Sequence, residues 1–434
     1  MPARRSSIVH IICHDLGRHL RCYGRPDVES PNLDRLAAEG VRFANCFSAS
    51  TPCSPARGSL MTGRYAHSNG QIGLTHRGFP LPHEEQTLVD HLNSAGYLTA
   101  HIGLQHERHD PLSNRYHAND QETSRCEAVA QKAADFLRGQ AGTRGAPLYL
   151  NAGFYEVHLP FDRPEYVPDD PRSVAAPEWL PDNQGVREEL SRFHGAIRFM
   201  DEAIGVILDA LHENGLDEDT LVMFTTDHGM AFPRAKGTLY DPGIGVALIM
   251  RPPRGLGTAG VVVDDLVSHV DIAPTLLDAV RVPIPESIQG RSFWGLLAGG
   301  KYEPRAWVFA EKNFHDCYDP IRCVRTERHK YLRNFEPRPK IILSTDIKRS
   351  SASDKLWPWA AEPREAEELY DLRADPWEMR NLAAGPAAAS VRQELAARLE
   401  EWMEETSDPL LEGPIPPPPE ARLDPPYPPI QAAQ

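Results

Sequence analysis

The sequence predicts an α/β protein, a helix-covered sheet followed by a small antiparallel C-terminal subdomain. Short apolar runs that read as buried strands alternate with longer runs of helical period over residues 1–304. Residues able to do chemistry stand where several of those runs end, which is where open α/β sheets bind ligands. From about residue 305 the pattern changes to short strand-like runs and one amphipathic helix.

Ile8-Val9-His10-Ile11-Ile12-Cys13 is an almost unbroken apolar run, as a buried strand requires, and it gives way to His14-Asp15-Leu16-Gly17. Residues 31–39 read as a helix with Ser30 as N-cap, Pro31 in the first turn and Gly40 as C-cap. Pro55 is placed to open a second helix, 55–62. Further helices are predicted at 86–95, 122–138, 187–213 and 271–280, and further strands at 98–103, 147–154, 220–226 and 246–250. The strand 220–226 ends in Asp227-His228-Gly229, and the strand 147–154 is followed by His158. The subdomain, 305–408, takes strands at 307–311, 321–326, 330–334 and 369–372 and a helix at 388–404. The tail, 409–434, carries Pro414, Pro416 to Pro419, Pro425, Pro426, Pro428 and Pro429, and is expected to wrap or dangle in polyproline-like form.

Composition excludes several classes of function. The formal net charge over 434 residues is −15, whereas a general nucleic-acid surface needs a basic footprint. An anionic substrate must instead be drawn to a local positive site. No apolar run is long enough to span a bilayer, and the first residues lead into the first strand without a signal-peptide apolar region. The expectation is therefore a cytoplasmic protein with no membrane or nucleic-acid partner. Seven cysteines, at 13, 22, 46, 53, 126, 317 and 323, form neither a secreted disulfide framework nor a C-x-x-C zinc pattern.

One segment names a chemistry: Cys53-Ser54-Pro55-Ala56-Arg57. A helix opened by Pro55 turns unpaired backbone N–H groups toward residue 53, and Arg57, one turn on, can hold neighbouring oxyanions. A lone cysteine beside a turn is more commonly a buried apolar side chain. His14-Asp15 and Asp227-His228, two pairs at two strand ends, favour the chemical reading by offering four metal ligands, with residue 53 as a fifth. The C-x-P-x-R string resembles the maturation signature of the type I sulfatases, in which the cysteine is oxidised to Cα-formylglycine and the hydrated aldehyde is the nucleophile. The helix beginning Ser30-Pro31-Asn32-Leu33-Asp34 and the metal-binding pairs match that family in order, so the resemblance runs from about residue 8 to about residue 405. His67-Ser68-Asn69-Gly70, Phe232-Pro233 with Leu239-Tyr240, and Glu405-Thr406-Ser407-Asp408-Pro409 look most like the heparan N-sulfatase (sulfamidase) branch.

The resemblance implies an alkaline phosphatase-like fold, a large mixed and mostly parallel sheet sandwiched by helices. It implies a metal-dependent sulfatase that hydrolyses a sulfate ester or N-sulfate, of a sugar first of all, through formylglycine at Cys53. The divalent metal would be held by His14, Asp15, Cys53, Asp227 and His228, with Arg57 beside them. His158 matches the family's general acid, and His106 matches the histidine that releases sulfate by deprotonating the remaining hydroxyl. Lys236 aligns with a basic sulfate-binding residue, and His315 falls where this branch contacts substrate. A small anionic substrate and a formylglycine-generating maturation enzyme are the implied partners; the oligomeric state is open, a dimer included.

The chain also departs from the family. Most sulfatases carry Asp-Asp and Asp-Asn in place of His14-Asp15 and Asp227-His228, an all-oxygen set suited to Ca²⁺. Imidazole suits softer ions such as Mn²⁺, so Ca²⁺ and Mn²⁺ both stand as candidates. Leu104 occupies the place of the lysine in the family's G-K-x-H segment, which leaves Lys236 to neutralise more of the charge. Two alternatives follow. One is a phosphonate or phosphate-ester hydrolase of the same superfamily, suggested by Asp227-His228-Gly229; the other is a catalytically silent anion-binding protein of the same fold.

Overall fold

The computed structural model describes residues 5–140, 145–257, 259–354, 356 and 358–425. Its main body is a nine-stranded mixed sheet with β1 (Ser7–Cys13) at the centre, flanked in parallel by β5 (Leu148–Gly153) and β6 (Thr220–Thr226). β3 (Leu98–Gly103) and the short β4 (Ala118–Asp120) extend the parallel half beyond β5. The other half is mixed. β8 (Leu248–Arg251) runs antiparallel to β6 and to β2 (Val41–Phe47), which also pairs with β7 (Gly245–Val246) and, in parallel, with β9 (Val261–Ser268). Apolar residues on the two faces of β1 go to different cores: Val9 and Ile11 to one, Ile8 and Ile12 to the other. Burial on both faces is why β1, β5 and β6 read as near-continuous apolar runs.

The strand predicted at 246–250 is divided between β7 and β8, and β2, β4 and β9 were not predicted. Arg42 and Asn45 interrupt β2, Asp264 and Asp265 interrupt β9, and β4 has three residues, none of them buried. Helices appear at Pro31–Glu39, Cys53–Thr62, Leu88–Ser94, Cys126–Gln140, Gln184–Glu213 and Ile272–Ala279. Ser30 does not cap the first of these with its side chain. Asp201 of the long helix does so from outside, accepting from the backbone N–H of Asn32 (2.9 Å) and Leu33 (2.8 Å). The second helix begins at Cys53 rather than at Pro55, with Pro52 before it. A first-turn N–H needs no acceptor within the helix, so Pro55 sits there at no cost.

β10 (Trp307–Phe314), β11 (Tyr318–Thr326), β12 (His329–Asn334) and β13 (Glu367–Asp371) form an antiparallel sheet in that order, covered by the helix Ala389–Glu405. Its apolar side chains share clusters with the main body: Val308, Ile321 and Leu332 pack with Phe47, Leu239 and Leu266. The two sheets are also joined through the backbone, where Glu311 donates to the Ala49 carbonyl at 2.9 Å. After a single 3₁₀ turn at Pro409–Leu411, the tail wraps the body. Ile415 is buried, Arg422 donates to the Arg77 carbonyl and Asp424 to the Asp316 carbonyl. Gly78, at φ +92°, is required where the tail passes, because a Cβ there would lie 2.6 Å from the Glu420 carbonyl oxygen. Pro426, Pro428 and Pro429 lie outside the described residues. Among the described residues no helix is long and apolar enough to cross a membrane.

Candidate active site

Register brings the site together. Cys13 pairs with Thr226 across β1 and β6, so the residues that follow each strand, His14-Asp15 and Asp227-His228, leave the sheet side by side. The Asp15 N–H, at a left-handed φ of +53°, donates to Asp227 Oδ1 at 3.0 Å. His14 Nδ1 lies 2.9 Å from Asp15 Oδ1 and 3.1 Å from Asp227 Oδ2. His228 Nε2 is 3.3 Å from Asp15 Oδ1 and 3.2 Å from Cys53 Sγ. All five side chains are buried, and one donor atom of each lies within 4.8 Å of the others.

Cys53 occupies the first turn of its helix, where backbone N–H groups are free of intrahelical acceptors. One turn on, Arg57 donates from Nε to Asp227 Oδ2 (3.2 Å) and from Nη2 to the Cys13 carbonyl (2.9 Å), tying the helix to both strand ends. Burial pushes the Cys53 thiol well above its usual range, and Lys236 only partly offsets this. Burial opposes charge on Asp15 too, but Lys236 and the surrounding imidazoles hold its carboxyl well below the usual range.

Lys236, itself buried, links the cluster to the half-buried His158 and Asp346. Its Nζ donates to Asp15 Oδ2 (2.7 Å), to Asp346 Oδ2 (2.7 Å) and to His158 Nε2 (3.1 Å), using all three ammonium protons. Burial alone would weaken the ammonium, yet the two carboxylates outweigh it and keep Lys236 charged. His158 Nδ1 is 2.5 Å from the Leu159 carbonyl oxygen, which assigns its proton to Nδ1 and leaves Nε2 as acceptor. Burial, then Lys236, lower its pKa to about 4. The His106 ring stands edge-on to His14 at 5.1 Å, and its buried Nδ1 has no hydrogen-bond partner.

His14, Asp15, Cys53, Arg57, His106, His158, Asp227, His228 and Lys236 thus form one cluster. His315 stands apart: it lines a small neighbouring cavity with Gly237, Lys312 and Ser344, its Nδ1 3.4 Å from Asp316. No hydrogen bond or ion pair links it with Cys53, His158 or Lys236 among the described residues. Sequence reasoning missed two acids. Asp346 enters from an irregular stretch that carries no motif, and Glu107 accepts from the His106 N–H at 3.0 Å, fixing that loop. Adjacency to His106 was the one available signal for Glu107, and Asp346 had none.

The donor set fits a divalent cation. Asp15, Asp227 and Asp346 pair with Arg57 and Lys236, three buried or half-buried carboxylates against two cations, so these five groups together carry a negative charge that a divalent cation would offset. His228 has the orientation typical of a ligand, Nδ1 2.9 Å from the Gly229 carbonyl oxygen and Nε2 turned into the cluster.

The chain is similar to known proteins over most of its length. The sulfatase family model matches residues 6–282, and that of the N-sulphoglucosamine sulphohydrolase C-terminal region matches residues 228–349. An ulvan-active sulfatase of Formosa agariphila is 28% identical over 93% of this chain and 76% of its own length. The N-sulphoglucosamine sulphohydrolase of Homo sapiens is 28% identical over 95% of this chain and 92% of its own length. A solved structure in complex with its substrate D-glucosamine-2-N,6-O-disulfate superposes with a TM-score of 0.72 at 19% identity, covering 93% of this chain and 99% of that one, and shares the fold.

Proposed function

The chain belongs to the sulfatase family, and we propose that it hydrolyses a sulfate ester or N-sulfate of a sugar at the cluster around residue 53. The observation that carries this reading is the convergence of His14, Asp15, Asp227 and His228 on Cys53 beside Arg57, with the buried Lys236 and the half-buried His158 next to them. The thiol itself is a poor nucleophile in this site because burial disfavours its thiolate. We propose that Cys53 is converted to formylglycine by a maturation enzyme, and that a divalent cation, Mn²⁺ rather than Ca²⁺ on the strength of two imidazole donors, occupies the cluster.

Those two groups would supply the nucleophilic hydroxyl and the Lewis acid that keeps it ionised at neutral pH. The chain's own residues do the rest. Arg57 holds Asp227 and the helix in line with the strand ends. Lys236 is the cation that a substrate oxyanion meets on entry. As the anion takes up that charge, the strongest neighbouring influence lowering His158 weakens, and Nε2 becomes competent to carry a proton to the leaving oxygen or nitrogen. His106, neutral because burial holds its pKa well below the usual value, would accept the proton released as sulfate departs.

The test is a mass and an assay on protein from a host that has the maturation enzyme. The peptide containing residue 53 should be lighter by about 18 Da than its thiol form, and the protein should release sulfate from an aryl sulfate and from a glucosamine sulfate. An unmodified thiol with no turnover would favour the silent anion-binding protein. Faster turnover of a phosphonate ester than of the matching sulfate would favour the phosphonate hydrolase.

A further inference from the structure

Gly17 and Met230, just beyond the turns that carry Asp15 and His228, line a second cavity of about 610 Å³ that contains none of the residues around Cys53. Its size is that of a small-molecule site, roughly 300–1,000 Å³. Arg18, Arg25 and Arg42 all face it, in a chain whose net charge is −15. Arg25 is answered by Asp27 at 3.0 Å. Arg18 and Arg42 have no carboxylate within ion-pair distance among the described residues.

Both are nevertheless held in place. Arg18 donates from Nη1 to the Ala44 carbonyl at 2.7 Å and lies over the Phe47 ring at 5.2 Å. Gly245 makes room for it, since a Cβ there would approach Arg18 Nη2 to 2.3 Å. Arg42 lies over the Tyr23 ring at 5.0 Å. The carboxylates on the cavity wall are already engaged, Glu178 by Trp377 Nε1 (2.9 Å) and Asp241 by Arg325 (3.0 Å) and Lys330 (2.9 Å). Two guanidinium groups outside ion-pair distance of any carboxylate among the described residues give the cavity a positive wall suited to a planar or tetrahedral oxyanion, and Trp377 adds ring surface for stacking.

We propose that this cavity is a non-catalytic binding site for an acidic sugar residue, its carboxylate or sulfate held by Arg18 and Arg42 and its ring face by Trp377. The choice of a sugar as the anion's carrier rests on the reading of the catalytic site; the cationic, aromatic cavity does not. Such a site would hold a charged saccharide to the protein by a residue other than the one being cleaved.

Binding is measured by tryptophan fluorescence and calorimetry on the Cys53→Ala protein, which cannot turn the probe over. The probe is a sulfated hexuronate–hexosamine disaccharide, with lactose and a nucleoside monophosphate alongside. The proposal expects saturable binding of the charged disaccharide, none of lactose, and a loss of affinity of about tenfold or more in both Arg42→Ala and Trp377→Ala. Aryl sulfate hydrolysis by otherwise wild-type Arg42→Ala should be unchanged. Binding indifferent to both substitutions, or no binding at all, overturns the proposal, and Arg42-dependent preference for the nucleotide overturns its ligand class. If the wild-type protein proves unable to hydrolyse sulfates while Arg42-dependent binding persists, the catalytic reading alone falls.

Discussion

Lys236 and Asp346, 110 residues apart, meet through a 2.7 Å ion pair at the solvent edge of the cluster. If Lys236 is the cation that meets the substrate anion, as proposed, the pair makes Asp346 a competitor for it. Lys236 has no proton to spare, and of its three acceptors Asp15 is locked among buried partners whereas Asp346 is partly exposed on an irregular segment. Asp346→Asn keeps the shape and removes the charge. Inorganic sulfate should then inhibit more strongly, with Ki lower by roughly three- to tenfold, an effect on the order of 1 kcal/mol for a partly screened charge near the anion. An unchanged Ki would remove Asp346 from the anion's path. Lys236→Ala should do the opposite, raising KM and lowering kcat together, because it strands Asp15 and Asp346 and removes the charge met in both ground and transition states.

Cys53→Ala should abolish turnover while the thermal transition moves by no more than a few degrees, since it deletes one small buried atom. Cys53→Ser should be nearly as inactive, because a single hydroxyl lacks the second oxygen needed to release sulfate. Aryl sulfate assays beside a melting curve check both; near wild-type rates in either variant would rule out residue 53 as the nucleophile's source.

Metal removal by chelation should eliminate activity and lower the melting temperature, because three carboxylates would then face two cations. Asp15→Asn or Asp227→Asn should cost activity by orders of magnitude. His228→Asn replaces nitrogen by oxygen and should shift the metal that best restores activity from Mn²⁺ toward Ca²⁺. Elemental analysis and reconstitution with each ion provide the readout, and full metal content in both aspartate variants would contradict the ligand assignment.

Acid should destabilise the fold well before the carboxylates titrate. Burial drives His10 to about 3, His101 to about 4 and His269 to about 3, and each has at least one ring nitrogen without a partner. Below about pH 6.5 the unfolded chain takes up protons that the folded chain refuses, so this stability is complete above 6.5 and is lost progressively toward pH 3–4. Each histidine should cost about 1–2 kcal/mol at pH 5 relative to pH 7.5. Urea unfolding at the two pH values measures the sum, and His101→Asn should flatten the difference by about one histidine's share.

What the sequence disclosed follows the physics of each segment. β1, β5 and β6 are covered on both faces, so their apolar runs were legible, and with them the positions of His14-Asp15 and Asp227-His228 at strand ends. β2 and β9 were illegible because Arg42, Asn45, Asp264 and Asp265 break their runs. Lys236 was visible through a family motif, but its saturation by two carboxylates was not. That depends on Asp346 arriving from a segment with no periodicity, and on the tail that helps hold that segment: Thr345 Oγ1 lies 3.3 Å from Asp424 Oδ2.

The burial of Cys53, 4% exposed, turns its chemistry into a matter of timing. The maturation enzyme proposed above would have to act before the fold buries the sulfur, and His228, which lies against the sulfur in the fold, comes 175 residues later in the chain. At ribosomal speeds of roughly 5–20 residues per second, the interval between their synthesis is about 10–35 s. A cell that folds this protein faster than it modifies it would accumulate a well-packed but inert product, and unfolding would be the only way back.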